Sequence, residues 1–372
     1  MKAKLNILTV FGTRPEVIKM APVIAELRKY PESIDCRVCV SAQHRQMIDP
    51  LLKLFGIRAD YDLNVMKENQ TLKDITNSVM DKIDGIIQEG SPDYLLVQGD
   101  TTTAMSAALA AFYRKVKVGH VEAGLRTWDK LQPYPEEVNR KIIDSVSDLY
   151  FAHTPGAKKN LITEGVKEEL IEVTGNTVID ALLDTVEKKY NFDGLLPKAV
   201  LNGKRLILVT AHRRESFGEQ FLNICHAIKE IANFYKDEVN IVYPVHLNPN
   251  VKKPAEFLLR GLDNVFLLEP LEYLPFVHLM KRAYLILTDS GGIQEEAPSL
   301  AKPVLVMRQV TERPEAALAG VVRIIGTERE SIVRNTIELL EEEAKYKEMA
   351  RGINPYGDGK ASQRIVARLL KQ

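Results

Sequence analysis

The chain has 372 residues, of which 45% are hydrophobic and 27% are charged, and its 50 Lys and Arg residues equal its 50 Asp and Glu residues. This composition is ordinary for a globular protein, and the length exceeds what one hydrophobic core usually serves, so two domains are expected. The net charge of zero argues against a broad basic face for nucleic acid. No apolar run approaches the length of a membrane span.

The start of the chain and its cysteines indicate a cellular location. The first residues lead directly into an apolar strand pattern and do not resemble a secretory signal. The three cysteines are Cys36, Cys39 and Cys225. Cys36 and Cys39 fall three residues apart in one strand pattern, so their side chains should face opposite sides, which argues against a redox or zinc site. We therefore expect thiols buried as small apolar groups and a cytoplasmic protein.

Short β-branched runs alternate with longer amphipathic segments along the whole chain, a pattern typical of parallel sheets covered by helices. The strands predicted in the first half are 5–11, 36–41, 94–98, 117–121, 149–152 and 170–173. Those predicted in the second half are 206–210, 240–245, 265–268, 284–287, 303–307 and 321–325. The predicted helices include 16–29, 71–89, 104–113, 136–147, 218–234, 328–349 and 361–371.

Two sets of six strands predict an α/β protein with two Rossmann-like domains. We place an N-terminal Rossmann-like domain at 1–184, a linker at 185–204 and a C-terminal Rossmann-like domain at 205–355. The C-terminal helix, in 356–372, could pack back on the N-terminal domain. In open parallel sheets, ligands bind beyond the carboxyl ends of the strands, so polar residues at those ends are candidates for a site.

Two cations follow the first predicted strand. Arg14 and Lys19 lie at the start of a predicted helix, where the helix dipole disfavours positive charge. An anion bound in front of them would explain this placement, and two solvated side chains beside a capping turn are the alternative. The segment has the single glycine Gly12, so it is neither a dinucleotide fingerprint nor a P-loop.

Three carboxylates follow strands in the first half. Asp100 follows the third strand, Glu122 ends the fourth, and Glu136 opens a helix after a proline-rich turn. Carboxylates that face one cleft are a typical acid and base set. Each also has a structural alternative. Asp100 and Glu136 could cap helices, and Glu122 could pair with Arg126 or Arg140.

Histidines follow two strands in the second half. His212, next to Arg213 and Arg214, suits phosphate contact and proton transfer. His246 ends the next strand and should reach the same edge of the sheet. The seven histidines show no close pair at zinc spacing, so a metal site is the weaker interpretation.

The most informative segment is 288–296, which follows an apolar strand and can open a helix. This geometry presents free backbone N–H groups to an anion. Ser290, Gly291 and Gly292 would let a phosphate approach the backbone, and the carboxylate of Glu296 could accept hydrogen bonds from ribose hydroxyls. An ordinary strand-to-helix turn with glycines for tight packing is the alternative.

Taken together, these segments resemble the non-hydrolysing UDP-N-acetylglucosamine 2-epimerases. The segments that carry the resemblance span nearly the whole chain and are 11–16, 98–101, 121–126, 135–140, 210–215, 289–296 and 311–315. The resemblance implies a GT-B fold, with two Rossmann-like domains, parallel sheets and an interdomain active-site cleft. It also implies reversible epimerisation at C2 of UDP-N-acetylglucosamine (UDP-GlcNAc) to UDP-N-acetylmannosamine (UDP-ManNAc). The implied route is elimination of UDP to a 2-acetamidoglucal, followed by re-addition, and the product would supply ManNAc units for surface polysaccharide.

The resemblance also implies roles for individual residues. The catalytic residues would be Asp100, Glu122, Glu136 and His212. The residues that bind the UDP-sugar would be Arg14, Lys19, Phe276, Ser290, Gly291, Gly292, Glu296 and Arg313. A second UDP-GlcNAc, bound as an activator, would contact Gln43, Gln46, Glu136, Arg213 or a neighbour, and His246. The segment 69–72 departs from the family pattern because it offers no arginine for the activator.

The resemblance calls for no metal or nicotinamide cofactor, and it implies a homodimer. The sequence leaves open which carboxylate removes the C2 proton in each direction. The alternatives are a GT-B glycosyltransferase that uses the same nucleotide site, a hydrolysing epimerase that releases free ManNAc, and a UDP-sugar-binding regulator without turnover. The three carboxylates favour an epimerase, because sugar transfer alone has no use for a base at C2.

Overall fold

A computed structural model of the protein describes residues 4–42, 45–67, 69–197, 200, 203–311 and 313–371. The chain divides into two compact units. Unit 1 consists of Met1–Ala181 and Tyr356–Gln372, and unit 2 consists of Leu182–Pro355. Each unit has its own parallel sheet flanked by helices, so the prediction of an α/β fold with two Rossmann-like domains is confirmed.

Unit 1 contains a sheet of seven parallel strands in the order β3-β2-β1-β4-β5-β6-β7. Its strands are β1 (Leu5–Phe11), β2 (Ile34–Val40), β3 (Tyr61–Asp62), β4 (Tyr94–Gln98), β5 (Lys117–Ala123), β6 (Leu149–Ala152) and β7 (Ile171–Val173). The helices that follow them are α1 (Arg14–Leu27), α2 (Arg45–Leu54), α3 (Leu72–Gly90), α4 (Thr102–Tyr113), α5 (Glu136–Val146), α6 (Pro155–Thr163) and α7 (Thr177–Glu187). All six predicted strands are present. The sequence missed only β3, because two residues are too short to show a period.

Unit 2 contains a sheet of six parallel strands in the order β10-β9-β8-β11-β12-β13. Its strands are β8 (Arg205–Thr210), β9 (Val239–Pro244), β10 (Val265–Leu268), β11 (Leu285–Thr288), β12 (Val304–Val306) and β13 (Val322–Ile324). Its helices are α8 (Glu219–Phe234), α9 (Pro249–Leu259), α10 (Tyr273–Arg282), α11 (Gly291–Glu296), α12 (Pro314–Leu318), α13 (Arg329–Glu341) and α14 (Glu343–Ala350). The single helix predicted at 328–349 is wrong, because Glu342 leaves helical geometry at φ −101° and ψ 88° and divides it into α13 and α14.

The central strands are apolar on both faces because helices cover both sides of each sheet. Every residue of β4 and β11 is buried. Cys39 on β2 and Cys225 on α8 are buried within these cores, and Cys36 is half-buried. Burial raises the pKa of the Cys36 and Cys225 thiols to about 12, which keeps both protonated at neutral pH. Among the described residues, no helix combines the length and apolar character needed to cross a membrane.

The C-terminal segment belongs to unit 1 and ends in α15 (Ala361–Leu369). The carboxylate of Asp180, on α7, accepts hydrogen bonds from the backbone N–H groups of Ala361 and Ser362 at the start of α15 (3.2 and 2.8 Å), and from the Ser362 hydroxyl. The Asn176 N–H donates to the carbonyl of Tyr356 (2.6 Å). A carboxylate at a helix N-terminus satisfies unpaired donors and complements the helix dipole, so Asp180 anchors α15.

The strand orders bring particular loops together. In unit 1, β1, β4 and β5 are neighbours, so the loops that follow them share one edge of the sheet. In unit 2, β9, β8 and β11 are neighbours in the same way. Most of the polar segments identified in the sequence follow these strands. In each unit they therefore lie together at the edge of the sheet where the strands end.

Gly124, directly after β5, is a position where only glycine fits. Its φ is +81°, and a Cβ atom would lie 2.4 Å from the carbonyl oxygen of Ala157. Gly165 also has a positive φ, +90°, but a Cβ atom there would meet nothing within 4 Å. We expect Gly124→Ala to lower the free energy of unfolding of unit 1 by about 2–5 kcal/mol, the sum of backbone strain and overpacking.

The matched control is Gly165→Ala, which changes only the backbone preference and should be destabilising by about 1 kcal/mol. Thermal and urea unfolding of the two variants measures the difference. Equal destabilisation by the two substitutions would show that the contact with Ala157 is unimportant.

Candidate active site

Glu122 has the most unusual backbone of the candidate residues in unit 1. It interrupts the pairing of β5 with β6 and lies at φ 67°, a left-handed conformation that is unfavourable for a residue with a side chain. Such strain persists only where surrounding structure imposes it, and it is concentrated at functional sites. The residue is only 9% exposed, so its carboxylate needs partners within the protein.

Three side chains supply those partners. Lys19 Nζ, on α1, lies 2.8 and 2.6 Å from the two Glu122 carboxylate oxygens. The amide of Gln98, at the end of β4, donates to Glu122 Oε2, and the amide of Asn176 donates to Oε1 at 3.4 Å. The lysine and the two amides therefore hold this buried carboxylate in position. The lysine offsets its charge.

The alternative in which Glu122 pairs with Arg126 or Arg140 is wrong. The Arg126 guanidinium binds Asp144 at 2.6 Å and Glu164 at 2.9 Å. Arg140 instead donates to Asp100 and Glu137. Sequence proximity suggested these arginines, whereas the true partner, Lys19, comes from the beginning of the chain.

Asp100 lies in the loop between β4 and α4 and is half-buried. The alternative of a helix cap is wrong for Asp100, because Thr101 is the N-cap of α4 and accepts from Ala104 N–H at 3.0 Å. The Asp100 carboxylate accepts from Arg140, and its carbonyl accepts from the Asn139 amide at 2.9 Å. Both donors lie on α5, so that helix holds Asp100 at the sheet edge.

Glu136 is the first residue of α5 and is half-buried. Its Oε2 atom is shielded from solvent and has no hydrogen-bond partner among the residues that the structure describes. Pro135 is the N-cap position of α5 and makes no side-chain capping hydrogen bond, and the neighbouring Glu137 accepts instead from the N–H groups of Thr127 and Trp128 in the preceding loop, both at 3.0 Å. A buried carboxylate oxygen without a donor is unfavourable in the free protein, which marks Glu136 as a group that could meet a ligand.

Behind these carboxylates lies a buried polar network. His120 Nε2 donates to the carbonyl of Gly99 (2.7 Å), and His120 Nδ1 lies 2.6 Å from Asp144 Oδ1. The other oxygen of Asp144 accepts from Gly124 N–H (3.3 Å) and from Arg126. Burial alone would raise the pKa of Asp144, but the interactions with His120 and Arg126 outweigh it and lower the pKa. Because Gly99 precedes Asp100 and Gly124 closely follows Glu122, the network holds the backbone next to both carboxylates.

The loop after β1 is fixed by Glu16, which the sequence interpretation left unassigned. Glu16 Oε2 accepts from the N–H groups of Gly12 (2.9 Å) and Thr13 (2.7 Å), and Oε1 accepts from the Thr101 hydroxyl (2.6 Å). Burial raises the pKa of Glu16, although these donors oppose the shift. The Thr-x-x-Glu spacing of a capping box was a signal that could have identified Glu16. Asn176 gave no comparable signal.

In unit 2, a second buried carboxylate joins two loops. Asp289 follows β11 and is fully buried. Its Oδ2 atom accepts from the backbone N–H groups of His212 (2.6 Å) and Arg213 (2.7 Å), which follow β8. The sequence placed Asp289 in a motif but gave it no role, because the contact joins residues 77 and 76 positions apart.

His212 projects from this junction. Its ring stacks on the ring of His246, with 5.5 Å between centroids and 12° between planes. The side chain is 43% exposed, yet the surrounding protein removes enough water to lower the pKa of His212. The neighbouring His246 and Arg213 lower the pKa further, and Asp289 opposes them. His212 is therefore a largely neutral imidazole at neutral pH.

The turn before α11 follows β11, which is the neighbour of β8 in the sheet, so this turn and His212 lie at the same sheet edge. Thr288 Oγ1 accepts from the Ser290 N–H at 2.9 Å, and a Cβ atom on Gly291 would lie 3.6 Å from an Arg213 nitrogen. Gly292 is exposed. Ser290 precedes the first turn of α11, where backbone N–H groups have no intrahelical acceptor.

The remaining candidates of unit 2 lie on neighbouring helices. Glu296, at the end of α11, accepts from the Tyr273 hydroxyl at 2.8 Å, and Phe276 is half-buried on the same helix as Tyr273. Arg313, before α12, donates to the buried carboxylate of Glu295. The sequence interpretation missed Tyr273 and Glu295, because their partners are distant in the chain.

The candidates for the activator site belong to both units. Gln46 is exposed on α2 of unit 1. His246 is exposed and Arg213 half-buried in unit 2. Gln43, and Glu312 of the 311–315 segment, lie outside the described residues. Among the described residues, no cluster of three or more His, Cys, Asp and Glu side chains could hold a metal ion.

The structure is similar to that of MurG from Acinetobacter baumannii, with a TM-score of 0.59 at 14% identity over all of both chains, a likeness of fold alone. The chain thus has the GT-B-like architecture of two Rossmann-like domains. Residues 25–370 match the family model described as UDP-N-acetylglucosamine 2-epimerase. The chain belongs to the UDP-N-acetylglucosamine 2-epimerase family.

Individual relatives agree with this membership. The chain is 52% identical over 371 residues to the UDP-N-acetylglucosamine 2-epimerase of Escherichia coli K12, and the matched region covers 98% of each protein. A crystal structure of UDP-GlcNAc 2-epimerase from Neisseria meningitidis bound to UDP-GlcNAc is 50% identical. It has a TM-score of 0.88 and covers 99% of this chain and 100% of that one.

The surroundings of His212 predict its titration. We expect its pKa to lie below the ordinary histidine value, and we expect His246→Gln to raise it, because the substitution removes a neighbouring group that can carry positive charge. Titration followed by histidine ring NMR measures both values. The control His226→Gln changes an exposed histidine on α8 and should leave the pKa of His212 unchanged. A His212 pKa above the ordinary value would contradict this account.

Proposed function

We propose that this chain is a non-hydrolysing epimerase that interconverts UDP-GlcNAc and UDP-ManNAc. The observation that carries the proposal is the buried Glu122 carboxylate, held by Lys19, Gln98 and Asn176 at the strand edge that also bears Asp100. Family membership supports it, as does the relative that binds UDP-GlcNAc. A glycosyltransferase would bind UDP in a similar way but would have no use for a base at C2 of the sugar.

The chemistry requires both a proton acceptor and a proton donor. The C2 proton of the sugar becomes acidic as the C1–O bond to UDP weakens. Its removal with loss of UDP leaves a 2-acetamidoglucal with a C1–C2 double bond. Delivery of a proton to the opposite face of C2, with return of UDP to C1, completes the epimerisation. We propose that Asp100, Glu122 and Glu136 share these proton transfers.

Glu122 is suited to repeated proton transfer by its surroundings. Lys19 offsets the charge of the carboxylate when the proton is absent, and the amides of Gln98 and Asn176 hold its orientation. Such groups need no rearrangement during the reaction, which is the basis of electrostatic preorganisation. Asp100 has a comparable partner in Arg140. Glu136, with its buried oxygen free of any described donor, could share a proton with the substrate.

We further propose that unit 2 holds the leaving group. As UDP departs, negative charge grows on the diphosphate, and His212, Arg313 and the turn of residues 290–292 would stabilise it. Glu296 would accept hydrogen bonds from the ribose, and Phe276 would lie beside the uracil. Arg14 of unit 1 would be a further diphosphate contact, and no metal ion or nicotinamide would take part. The enzyme would be a homodimer that supplies ManNAc units for surface polysaccharide, as the family resemblance implies, and it would be cytoplasmic, as its cysteines indicate.

Solvent deuterium tests the reaction. Incubation with UDP-GlcNAc in deuterated water should yield UDP-ManNAc with deuterium at C2, detected by NMR and mass spectrometry. Glu122→Gln should lower this exchange by about 100-fold or more while UDP still binds, because a general base is lost. The control is Glu26→Gln. Glu26 is another buried glutamate, its carboxylate lies 2.6 Å from Lys29 Nζ, and it is not one of the candidate site residues, so this variant should keep the wild-type rate of exchange.

The products of the same incubation separate the alternatives. Absence of deuterium at C2 would refute the epimerase proposal. Free ManNAc with free UDP would identify a hydrolysing epimerase. Normal turnover by Glu122→Gln would remove Glu122 from the proton-transfer set.

A second UDP-GlcNAc acting as an activator predicts a distinct kinetic signature. We propose that it contacts Gln43, Gln46, Glu136, Arg213 or a neighbour, and His246. The rate should then rise sigmoidally with UDP-GlcNAc concentration, because the activator and the substrate are the same compound. Gln46→Ala, an exposed position on α2, should shift the curve to higher concentration. A hyperbolic curve, together with activity on UDP-ManNAc alone, would contradict activation.

A further inference from the structure

The carboxylate of Asp289 is satisfied on one side only. Oδ2 accepts two backbone N–H groups, from His212 and Arg213. Oδ1 is shielded from solvent and has no hydrogen-bond partner among the residues that the structure describes. A buried carboxylate oxygen without a donor is unfavourable unless another state of the protein supplies one. The unsatisfied oxygen therefore points to a donor that arrives later.

A neighbouring group that could become this donor is the ring of His212. Its Nδ1 atom lies 3.6 Å from Asp289 Oδ1, beyond hydrogen-bond distance but close enough for a small ring rotation to close the gap. The ring is braced on its face by His246. The titratable and charged groups that face it are Asp289 after β11, His246 after β9, and Arg213 next to it in the chain.

A neutral imidazole cannot serve Asp289 and a ligand together. It carries one N–H, so it can donate from Nδ1 or from Nε2 but not from both. The protonated ring donates from both nitrogens. In the free protein the surroundings lower the pKa of His212 and favour the neutral ring. A diphosphate next to the ring would reverse this preference, because an opposite charge nearby stabilises the imidazolium.

We propose that Asp289 is a positioning residue that lets His212 take up one proton when the diphosphate of UDP binds. The inference rests on the proposed binding of UDP. The proton comes from the solvent and adds to the ring, and no covalent bond other than this N–H forms. Nδ1–H then donates to Asp289 Oδ1, and Nε2–H donates to a phosphate oxygen.

The resulting chain of charges runs from carboxylate to imidazolium to diphosphate. It places a full positive charge against the leaving group, where a neutral ring would offer a weaker donor. Asp289 keeps that charge in place through Oδ1 and keeps the loop in place through Oδ2. The same carboxylate thus serves both the backbone geometry and the protonation of the ring.

Calorimetry tests the proton uptake directly. UDP binding to the full-length protein is measured at pH 7.5 in buffers with different protonation enthalpies. The slope of the observed binding enthalpy against the protonation enthalpy of the buffer gives the number of protons taken up. We expect an uptake of roughly 0.5–1 proton per UDP, since free His212 is mostly neutral at this pH. The terminal phosphate of UDP, with a second pKa of about 6, is already deprotonated and does not supply this signal.

Variants assign the proton. His212→Gln should bind UDP without proton uptake. Asp289→Asn should keep the loop conformation, because the oxygen of the new amide can accept both backbone N–H groups. The NH2 group of that amide would face His212 Nδ1, and it cannot accept a hydrogen bond from a protonated Nδ1. Uptake in Asp289→Asn should fall to less than about half of the wild-type value. The control Asp263→Asn, at an exposed residue paired with Lys236 at 2.9 Å, should retain full uptake.

Ring NMR of the wild-type protein gives a readout that does not depend on the folding of any variant. Saturating UDP at pH 7.5 should shift the His212 nitrogens to the doubly protonated form. Three results would each overturn the inference: UDP binding without proton uptake in the calorimetric measurement, a His212 ring that stays neutral with UDP bound, or wild-type proton uptake in Asp289→Asn. A wild-type protein that fails to bind UDP would refute the proposed function as well, so the two failures are distinguishable.

Discussion

A carboxylate that is removed from water must find its donors within the protein, and this constraint organises both sheet edges. In unit 1, Glu122 draws Lys19, Gln98 and Asn176 to one point. In unit 2, Asp289 draws together the loops that follow β8 and β11. In each unit a buried negative charge thereby determines where residues from separate parts of the chain must lie.

The two carboxylates are compensated in different ways, and the difference suits different chemistry. Glu122 has a cation and amide donors, so it can exist as an anion in a buried place, as the proposed proton transfer requires. Asp289 is compensated mainly by backbone N–H groups and keeps one oxygen facing a histidine. The first arrangement fits proton transfer, and the second fits the control of charge beside a phosphate.

The elements of the fold were largely predictable because their signal is local. Apolar runs of strand length, separated by helical periods, predicted every strand except β3. The break at Glu342 escaped prediction, because no proline or glycine marks it. The candidate residues were also found locally, as polar groups at strand ends. Their partners were not, and the alternative pairing of Glu122 with Arg126 or Arg140 is wrong because sequence proximity does not determine contact across a sheet.

The sequence by itself determined the alternation of strands and helices, the family, and the set of polar residues at the strand ends. Each of these depends on short segments of residues that are adjacent in the chain. Only the tertiary structure decided which donors meet which carboxylates. It joined Lys19 to Glu122 across 103 positions and Asp289 to His212 across 77. Such contacts depend on strand order and on the compensation of buried charge, which are properties of the folded chain as a whole.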